Sequence, residues 1–412
     1  MTEVAARVLP WRMVALASLG GALELYDFVL YGVWAAAIGA EFFPHNDPAV
    51  GIVLAFSVFA VGYVARPLGG LILAGHGDRH GRRGVFLGSL AGMSLATLLI
   101  ALLPGYATLG LAAPILLVAL RLVQGFCLGG ELSGAIVYAA EAEPRRAGLL
   151  CGVLCGSLNA GVLVATAVGL VLRLAMPDWL GWRLGFLVGA LLGLAGVLLR
   201  RHLAESPAFV KQQAGVEKAA RMPLKALLAR HPRALVAGIL VCAAVAGFNG
   251  LVFVHLPVWL AHLGYGRVAA VAAQSLLLAA EIAVIVAAGA MADRVAPRLV
   301  LGLGCVLLLL GAVPAYLALP DGLWLPLAGA AVAGGLAAGS FALVTARLFP
   351  TSVRYSGVAL SYNVAFTLLS GLAPLAATAL VGATGWIGAP GLFLAGCAAL
   401  SLAGVVLAGR PD

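Results

Sequence analysis

Charged side chains lie inside several long apolar stretches of the sequence. Glu24 and Asp27 fall within the first stretch, and Arg121 lies within the fourth. A charge near the centre of a membrane helix costs about 2.5–3.5 kcal/mol, so each of these residues predicts a functional role. Burial favours the protonated form of a carboxylate, whereas a nearby guanidinium favours the ionised form. An acid and an arginine that separate during a conformational change would therefore bind and release a proton.

Helix geometry places these charges at overlapping depths. If the first span begins near residue 13, Glu24 and Asp27 lie roughly 16 and 21 Å from one membrane surface, and Arg121 lies roughly 12 Å from the same surface. We predict that Asp27 is the proton-coupling acid, with Arg121 as its partner or as a ligand for a substrate carboxylate. Glu24 is the alternative acid. A purely structural ion pair between two helices is the other alternative.

The composition requires a membrane protein around these charges. Hydrophobic residues make up 63% of the 412 residues and charged residues only 10%, whereas soluble proteins have about 25% charged residues. Backbone polar groups in a bilayer need internal partners, so long apolar runs without alternation predict helices. We therefore predict an all-α membrane protein with twelve transmembrane helices. The predicted spans are 13–40, 50–74, 85–103, 109–139, 147–173, 183–199, 233–262, 268–291, 298–318, 323–346, 355–380 and 388–409.

The basic residues are distributed unevenly across the two membrane sides. Twenty of the 25 Lys and Arg residues lie in the two tails, in the even-numbered connections or at the span ends next to them. Basic residues concentrate on the cytoplasmic side of membrane proteins, so both termini are predicted to be cytoplasmic. This topology explains the net charge of +9 without a nucleic-acid partner. In a bacterial cell the protein would lie in the inner membrane.

Several other classes of function have no support in the sequence. All six cysteines fall in apolar spans without the His or carboxylate residues that would complete a metal site. There is no phosphate-binding GxxxxGK[ST] loop and no nucleophile–base pattern. We therefore predict neither an enzyme nor a protein with a cofactor or metal.

A polar, basic segment divides the chain into two parts with six spans each. We predict an N-terminal bundle over residues 1–199, a cytoplasmic linker over 200–232 and a C-terminal bundle over 233–412. The two parts also resemble each other. Gly75 and Asp78 follow the second span with several arginines, and Gly289 and Asp293 follow the eighth. Many transporters consist of two such repeats, with the substrate held between them near the midplane.

Charged residues of the short connections predict a cytoplasmic gate. Paired acids and arginines that meet in one conformation and separate in another would form a two-state contact, whereas membrane anchoring alone would need only basic residues. The predicted gate residues are Asp78, Arg79, Arg82, Arg83, Glu131, Glu141, Asp293, Arg294 and Arg354. Glu141 and Glu143 are expected near Arg82 or Arg83. Structural use of Glu131 remains an equal alternative.

Polar side chains within the spans are candidates for contact with a solute. Each has the alternative of a hydrogen bond between helices, which is common for polar residues in membranes. The predicted solute-binding residues are Tyr26, Tyr31, Arg121, Gln124, Asn159, Asn249, Glu281, Tyr362 and Asn363. Glu281 is the one acid in the middle of the second half and could face a cationic group or a basic side chain.

Several of these segments together resemble the metabolite:proton symporter family of the major facilitator superfamily. The connection Gly75–Arg83 is similar to the superfamily's signature between spans two and three. The other matching segments are Glu24–Phe28 with Tyr31 and Gly32, Arg66–Gly70, Arg121–Phe126 with Gly129–Glu131, Glu205–Phe209, Phe349–Thr351 and Tyr362–Asn363. The resemblance implies two pseudo-symmetric six-helix bundles. It also implies a substrate such as proline, a betaine, α-ketoglutarate, citrate or shikimate, carried with protons.

The chain departs from the family pattern at two places. Arg347 stands where the family often has an acid before the Phe-Pro at the end of the tenth span, and the second-half signature lacks its final Gly-Arg pair. These differences leave the substrate open.

The residues favour a proton-coupled symporter of a small organic acid or zwitterion that works by alternating access, as a monomer. The alternative is a proton-driven exporter of a carboxylate-bearing metabolite on the same fold. A non-transporting membrane sensor is a third hypothesis, but it would not need intramembrane acids together with repeated gate motifs.

Overall fold

The computed structural model describes residues 2–44, 48–80, 82–201 and 223–409. Within these ranges, eleven helices are long and apolar enough to cross a membrane, and a twelfth span is a helix pair bent by 66° between Val33 and Ala35. The twelve spans are α1 (Thr2–Val33, continued by Ala35–Phe42), α2 (Pro48–His80), α3 (Arg82–Leu102), α4 (Ala112–Ala142), α5 (Ala147–Ala175), α6 (Asp178–Arg200), α7 (Pro232–Val241, Ala243–Gly250, Leu251–His255 and Leu256–His262), α8 (Arg267–Ala292), α9 (Pro297–Ala318), α10 (Trp324–Arg347), α11 (Arg354–Ala365, Phe366–Ser370 and Ala373–Thr384) and α12 (Ala389–Leu407).

The prediction of twelve helices is confirmed, and most boundaries agree within a few residues. The largest differences are in α1, which begins at Thr2, and in α2, which continues to His80. Local sequence explains several ends. Pro232 and Pro297 stand in the first turns of α7 and α9, where a missing N–H does no harm. Gly385 ends α11 with a φ of 65°, a left-handed conformation that glycine adopts without strain.

The helix contacts repeat with a period of six. In the first half α1 packs on α5, α2 on α4 and α3 on α6; in the second half α7 packs on α11, α8 on α10 and α9 on α12. The halves meet through α5 against α8 and through α2 against α11. Because the number of spans is even, α1 begins and α12 ends on the same side, which we call the terminal face. The other side is the opposite face.

Small residues allow the helix backbones of one half to come close together. A Cβ atom added to Gly125 of α4 would overlap the carbonyl oxygen of Gly62 of α2, and one added to Gly69 would overlap that of Phe126. Close approach of this kind is how membrane helices gain packing energy, since lipid provides little hydrophobic drive between helices. These contacts fix the position of α4, which carries Arg121.

Two spans contain a segment of wider π-helix. It covers Leu251–His255 in α7 and Phe366–Ser370 in α11, on the half of each helix nearer the opposite face. Such segments occur often at functional sites, because they interrupt the regular backbone hydrogen bonds of a helix. Here both lie where the two halves of the protein meet.

Candidate functional site

Asp27 and Arg121 lie together in the interior of the first half. Arg121 Nη1 is 3.6 Å from Asp27 Oδ2. Gln124 connects them, since its amide nitrogen donates to Asp27 Oδ2 and its amide oxygen accepts from Arg121 Nη1 at 2.9 Å. The same amide nitrogen donates to Thr97 Oγ1 at 2.8 Å. All four side chains are buried. Asp27 of α1 thus forms one buried polar cluster with residues of α3 and α4.

Arg121 keeps part of its hydrogen-bonding capacity unused. Its guanidinium carbon lies 3.8 Å from the centre of the Tyr31 ring, a cation–π contact. Among the described residues, Nε and Nη2 of Arg121 and Oδ1 of Asp27 have no hydrogen-bond partner. Buried polar atoms without partners are uncommon and often mark a functional site.

Glu24 forms a second buried ion pair, with Arg66 of α2. Arg66 Nη2 donates to Glu24 Oε1 at 2.8 Å, and both side chains are almost fully buried. The guanidinium lies between the rings of Tyr63 and Tyr362, 5.3 and 5.5 Å from their centres. Glu24 thus has a different arginine from Asp27. Since Glu24 and Asp27 are three residues apart on α1, the two pairs lie side by side on one helix.

A narrow cavity lies between the two halves at the level of these pairs. It includes Arg66 but neither Asp27 nor Arg121. The volume open to the centre of a water molecule is only about 20 Å³, which is room for one or two waters. The lining residues are Leu25, Tyr63, Arg66, Cys155, Leu158, Asn159, Val245, Asn249, Phe253, Ile285, Ala338, Phe341, Tyr362, Phe366 and Ser370.

One hydrogen bond beside the cavity joins the halves directly. Asn159 of α5 donates to Glu281 Oε2 of α8 at 2.8 Å, and the other carboxylate oxygen of Glu281 is buried without a partner among the described residues. Glu281 therefore contacts the opposite half rather than a basic side chain. This bond must break or rearrange if the halves separate at this depth.

Polar contacts close the terminal face between α4 and α11. Arg354 Nη1 donates to Glu141 Oε1 at 2.9 Å. Further in, the Tyr355 hydroxyl donates to the carbonyl oxygen of Gly130 at 2.6 Å, and the Asn363 amide donates to that of Gly129 at 2.7 Å. All three bonds join the first half to the second.

Asp293 makes a further contact between the halves at the terminal face. Its carboxylate accepts from the backbone N–H groups of Gly148 and Leu149 at 2.6 and 2.9 Å. These are the first N–H groups of α5, and an acid at this position is stabilised by the helix dipole. Next to it Gly148 of α5 and Gly289 of α8 touch through their backbones, where a side chain on either residue would overlap the other helix.

The contacts between the halves nearer the opposite face include no ion pair among the described residues. Val254 of α7 packs against the apolar cluster of the first six helices. Thr367 of α11 donates to the carbonyl oxygen of Tyr63 of α2 at 3.0 Å. The terminal face, in contrast, has the ion pair of Glu141 with Arg354.

The remaining predicted residues fall into three groups. Asn159, Asn249 and Tyr362 line the cavity. Tyr26, Tyr31, Gln124, Glu281 and Asn363 are bound to other helices instead; the Tyr26 hydroxyl, for example, donates to the carbonyl oxygen of Gly185 at 2.9 Å. Glu131 accepts from Ser89 at 2.9 Å, and Arg294 is exposed. The side chains of Asp78, Arg79, Arg82 and Arg83 lie outside the described residues, so the expected contact with Glu141 is not seen.

The sequence analysis missed Arg66 and Tyr63 as cavity residues, although it included Tyr362. Arg66 is a charged residue inside an apolar span, and this is the same signal that singled out Arg121. Tyr63 lies one helical turn before Arg66 and was not considered, because an aromatic residue in a membrane helix is unremarkable by itself. The cavity also includes Cys155 and Phe253.

Comparison with known proteins agrees with this architecture. The family model described as Major Facilitator Superfamily matches residues 17–368. The chain belongs to the major facilitator superfamily. The solved structure of the proton:xylose symporter XylE bound to 6-bromo-6-deoxy-D-glucose superimposes on this superfamily member with a TM-score of 0.81, over 96% of this chain and 95% of that one. Because only 16% of residues are identical, that likeness shows the fold alone.

The alignments with relatives of higher sequence identity cover most of both chains. A proline/betaine transporter of Salmonella typhimurium is 33% identical over 389 residues, or 90% of this chain and 77% of the relative. A citrate-proton symporter of Klebsiella pneumoniae is 33% identical over 91% of this chain and 86% of its own. An inner membrane metabolite transport protein of Escherichia coli is 35% identical over 96% and 93%. All three are named as transporters and none as an enzyme, as predicted.

Proposed function

We propose that this superfamily member couples proton movement to the symport of a small organic acid or zwitterionic metabolite. The observation that carries the proposal is the pair of adjacent ionic sites on α1: Glu24 with Arg66 at the cavity, and Asp27 with Arg121 beside it. The relatives named for proline, betaine and citrate support the substrate class. Proline, betaines and citrate each carry a carboxylate group.

Arg66 is the residue best placed to bind that carboxylate. It lines the cavity, and its planar guanidinium can form two parallel hydrogen bonds with a carboxylate. The bound solute would compete with Glu24, while Asn159, Asn249 and Tyr362 offer polar groups around it. Arg121, which the sequence suggested for this task, has no access to the cavity in this conformation. Its role in the proposal is to control Asp27.

Asp27 would carry the coupled proton. Burial disfavours its charge, and the neighbouring Arg121 favours it, so the carboxyl group binds a proton when the two move apart. Glu24 and Asp27 lie on the same helix, so displacement of Glu24 from Arg66 by a solute would move α1 and hence Asp27. Solute binding and protonation are thereby linked through a rigid element.

Alternating access would follow from rocking of two bundles about the cavity. We assign residues 1–199 and 233–412 to these bundles and 200–232 to the connecting linker, part of which lies outside the described residues. The terminal face would be cytoplasmic in the inner membrane, because the basic residues concentrate there. All proposed sites come from one chain, so a monomer would suffice.

The cavity volume fits an occluded state without solute. With room for one or two waters, it must widen before a molecule such as proline can enter. The contact nearer the opposite face would offer the smaller barrier to opening, since no ion pair joins the halves there among the described residues. Entry of solute and proton from the opposite face is therefore the proposed first step.

Reconstituted vesicles test the proposal. Purified protein would be supplied with labelled proline, glycine betaine or citrate under an imposed pH gradient, and Asp27→Asn would be compared with wild type. We expect wild type to accumulate the solute when the pH gradient is imposed. We expect Asp27→Asn to exchange solute across the membrane without accumulating it. Asp321→Asn, in an exposed connection, makes the same chemical change and should behave as wild type.

Two results would contradict the proposal. Equal accumulation by Asp27→Asn and wild type would exclude Asp27 as the coupling residue and leave Glu24 to be tested. If wild type moves the solute only outward while protons move inward, the protein is an exporter instead. The orientation of the protein in the vesicles is determined by protease cleavage at the terminal face.

A further inference from the structure

A large basic pocket lies at the terminal face of the second half, away from the cavity between the halves. Its volume is about 650 Å³. It is formed where α7 and α9 begin and where α10 and α12 end, so four helices contribute to its walls. The basic residues that line it are Arg230, His231, Arg233, Arg298 and Arg347.

The charge of this pocket is not balanced from within. No Asp or Glu lines it among the residues that the structure describes. Arg347, the last residue of α10, adds to the excess. Four arginines around one concave space favour a bound anion, since guanidinium groups repel one another unless a counter-charge is present.

Two arginines are held in place by backbone carbonyl groups of the C-terminal helix end. Arg233 Nε donates to the carbonyl oxygen of Leu407 at 3.1 Å, and Arg298 Nη1 donates to that of Gly409 at 3.2 Å. Each bond uses one of the five guanidinium donors and leaves the others available. Because the side chains are already positioned, binding of an anion costs less side-chain entropy.

The ends of four helices lie at the pocket. Pro232 and Pro297 begin α7 and α9, so two positive dipole ends lie at its wall, and the carbonyl ends of α10 and α12 lie there as well. These opposite dipole ends offset one another, so the excess positive charge comes from the arginine side chains, and it sets the sign of the ligand. A tetrahedral phosphate group matches the planar donors of arginine.

The surroundings of the pocket favour a lipid as the source of that phosphate. Its wall includes Val344, Leu348 and Val405, and the neighbouring Leu299 and Val406 are 62% and 79% exposed on the outer surface of the helices. An apolar surface that continues from a basic pocket at a membrane face suits acyl chains below an anionic headgroup. A free phosphate ion would make no use of that surface.

We propose that this pocket binds the phosphate group of an anionic phospholipid in the leaflet at the terminal face. The site is separate from the solute cavity and does not depend on the proposed transport mechanism.

The test measures lipid binding directly. Protein in phosphatidylcholine nanodiscs would be titrated with phosphatidylglycerol, and bound lipid would be counted by native mass spectrometry. The double variant Arg298→Gln/Arg347→Gln should bind phosphatidylglycerol roughly thirtyfold more weakly, at about fivefold for each basic residue near an anionic surface. The control is Arg294→Gln, which removes an exposed positive charge from the connection before α9 but does not line the pocket.

Each outcome decides the proposal. Weaker binding in the double variant with unchanged binding in Arg294→Gln supports the site, provided that the melting temperature in phosphatidylcholine is unchanged in both. Equal binding by the double variant and the control overturns it. Complete displacement of phosphatidylglycerol by 10 mM inorganic phosphate would overturn the lipid as the source and assign the pocket to free phosphate.

Discussion

Glu141 and Arg354 join α4 to α11 at the terminal face, and Glu141→Gln removes the charge of this pair with little change in size. The Glu141 side chain is 4% exposed and that of Arg354 is 23% exposed, so water screens the pair only in part. Hydrogen bonds to charged groups contribute about 1.5–3 kcal/mol. Taking the lower value because Arg354 retains its bond to the Phe349 carbonyl, the closed state loses about 1.5 kcal/mol.

That loss predicts a measurable shift in population. A change of 1.4 kcal/mol corresponds to a factor of ten in an equilibrium constant, so the states open to the terminal face should become about tenfold more populated. A native reporter is available, because Cys155 lines the cavity and is buried in the closed state. With the other five cysteines replaced by alanine, alkylation of Cys155 from the terminal face should accelerate by about tenfold in Glu141→Gln.

The control is a neighbouring acid at the same face. Glu143→Gln makes the same charge change two residues later, and Glu143 forms no salt bridge with any residue that the structure describes. Its alkylation rate should match that of the parent. If Glu141→Gln also leaves the rate unchanged, the ion pair does not hold the terminal face closed, and our account of the gate is wrong.

Two further predictions concern packing and solute binding. Gly125→Ala should lower stability by about 1–3 kcal/mol or prevent folding, since its Cβ atom would overlap a backbone carbonyl of α2; Gly88→Ala, where a Cβ atom meets nothing within 4 Å, should leave the melting temperature in detergent unchanged. Arg66→Lys should raise the apparent KM for a carboxylate solute by about tenfold, because an ammonium group cannot replace a two-bond contact. An unchanged KM in vesicle uptake would remove Arg66 from the solute site.

Much of the helical fold was predictable from hydropathy alone. Apolar runs of about 20 residues have one solution in a bilayer, so the spans and their ends were placed well. The extension of α2 to His80 was not foreseen, because the polar sequence after Ala74 resembles a loop. A helix can continue beyond the apolar layer when its polar end lies outside it, and hydropathy does not report that end.

Ionic contacts were predictable only where depth restricted the partners. Asp27 and Arg121 had overlapping depths, and the structure brings them together through Gln124. Glu24 has a similar depth, yet it pairs with Arg66, because neighbouring residues on one helix can face different helices. Depth is a single coordinate. The choice between arginines also depends on rotation about the helix axis, which the sequence did not provide.

The gate shows the same limitation at a larger scale. The second arginine-rich signature was expected to form a gate, and Asp293 does contact the opposite half, but through backbone N–H groups rather than through a basic side chain. Sequence patterns identify charged side chains and not exposed backbone donors. The partner of Asp293 therefore became visible only when α5 was placed against α8.

The backbone contact of Gly148 with Gly289 lowers the cost of separating α5 from α8 at that point. Where two glycines meet, separation of the helices exposes almost no side-chain surface, so little apolar burial is lost there. The polar bonds between the halves add about 1–2 kcal/mol each to the cost of separation. A small solute with micromolar to millimolar affinity supplies about 4–8 kcal/mol. One molecule of that size is enough to invert the populations of the two arrangements if it binds one of them preferentially.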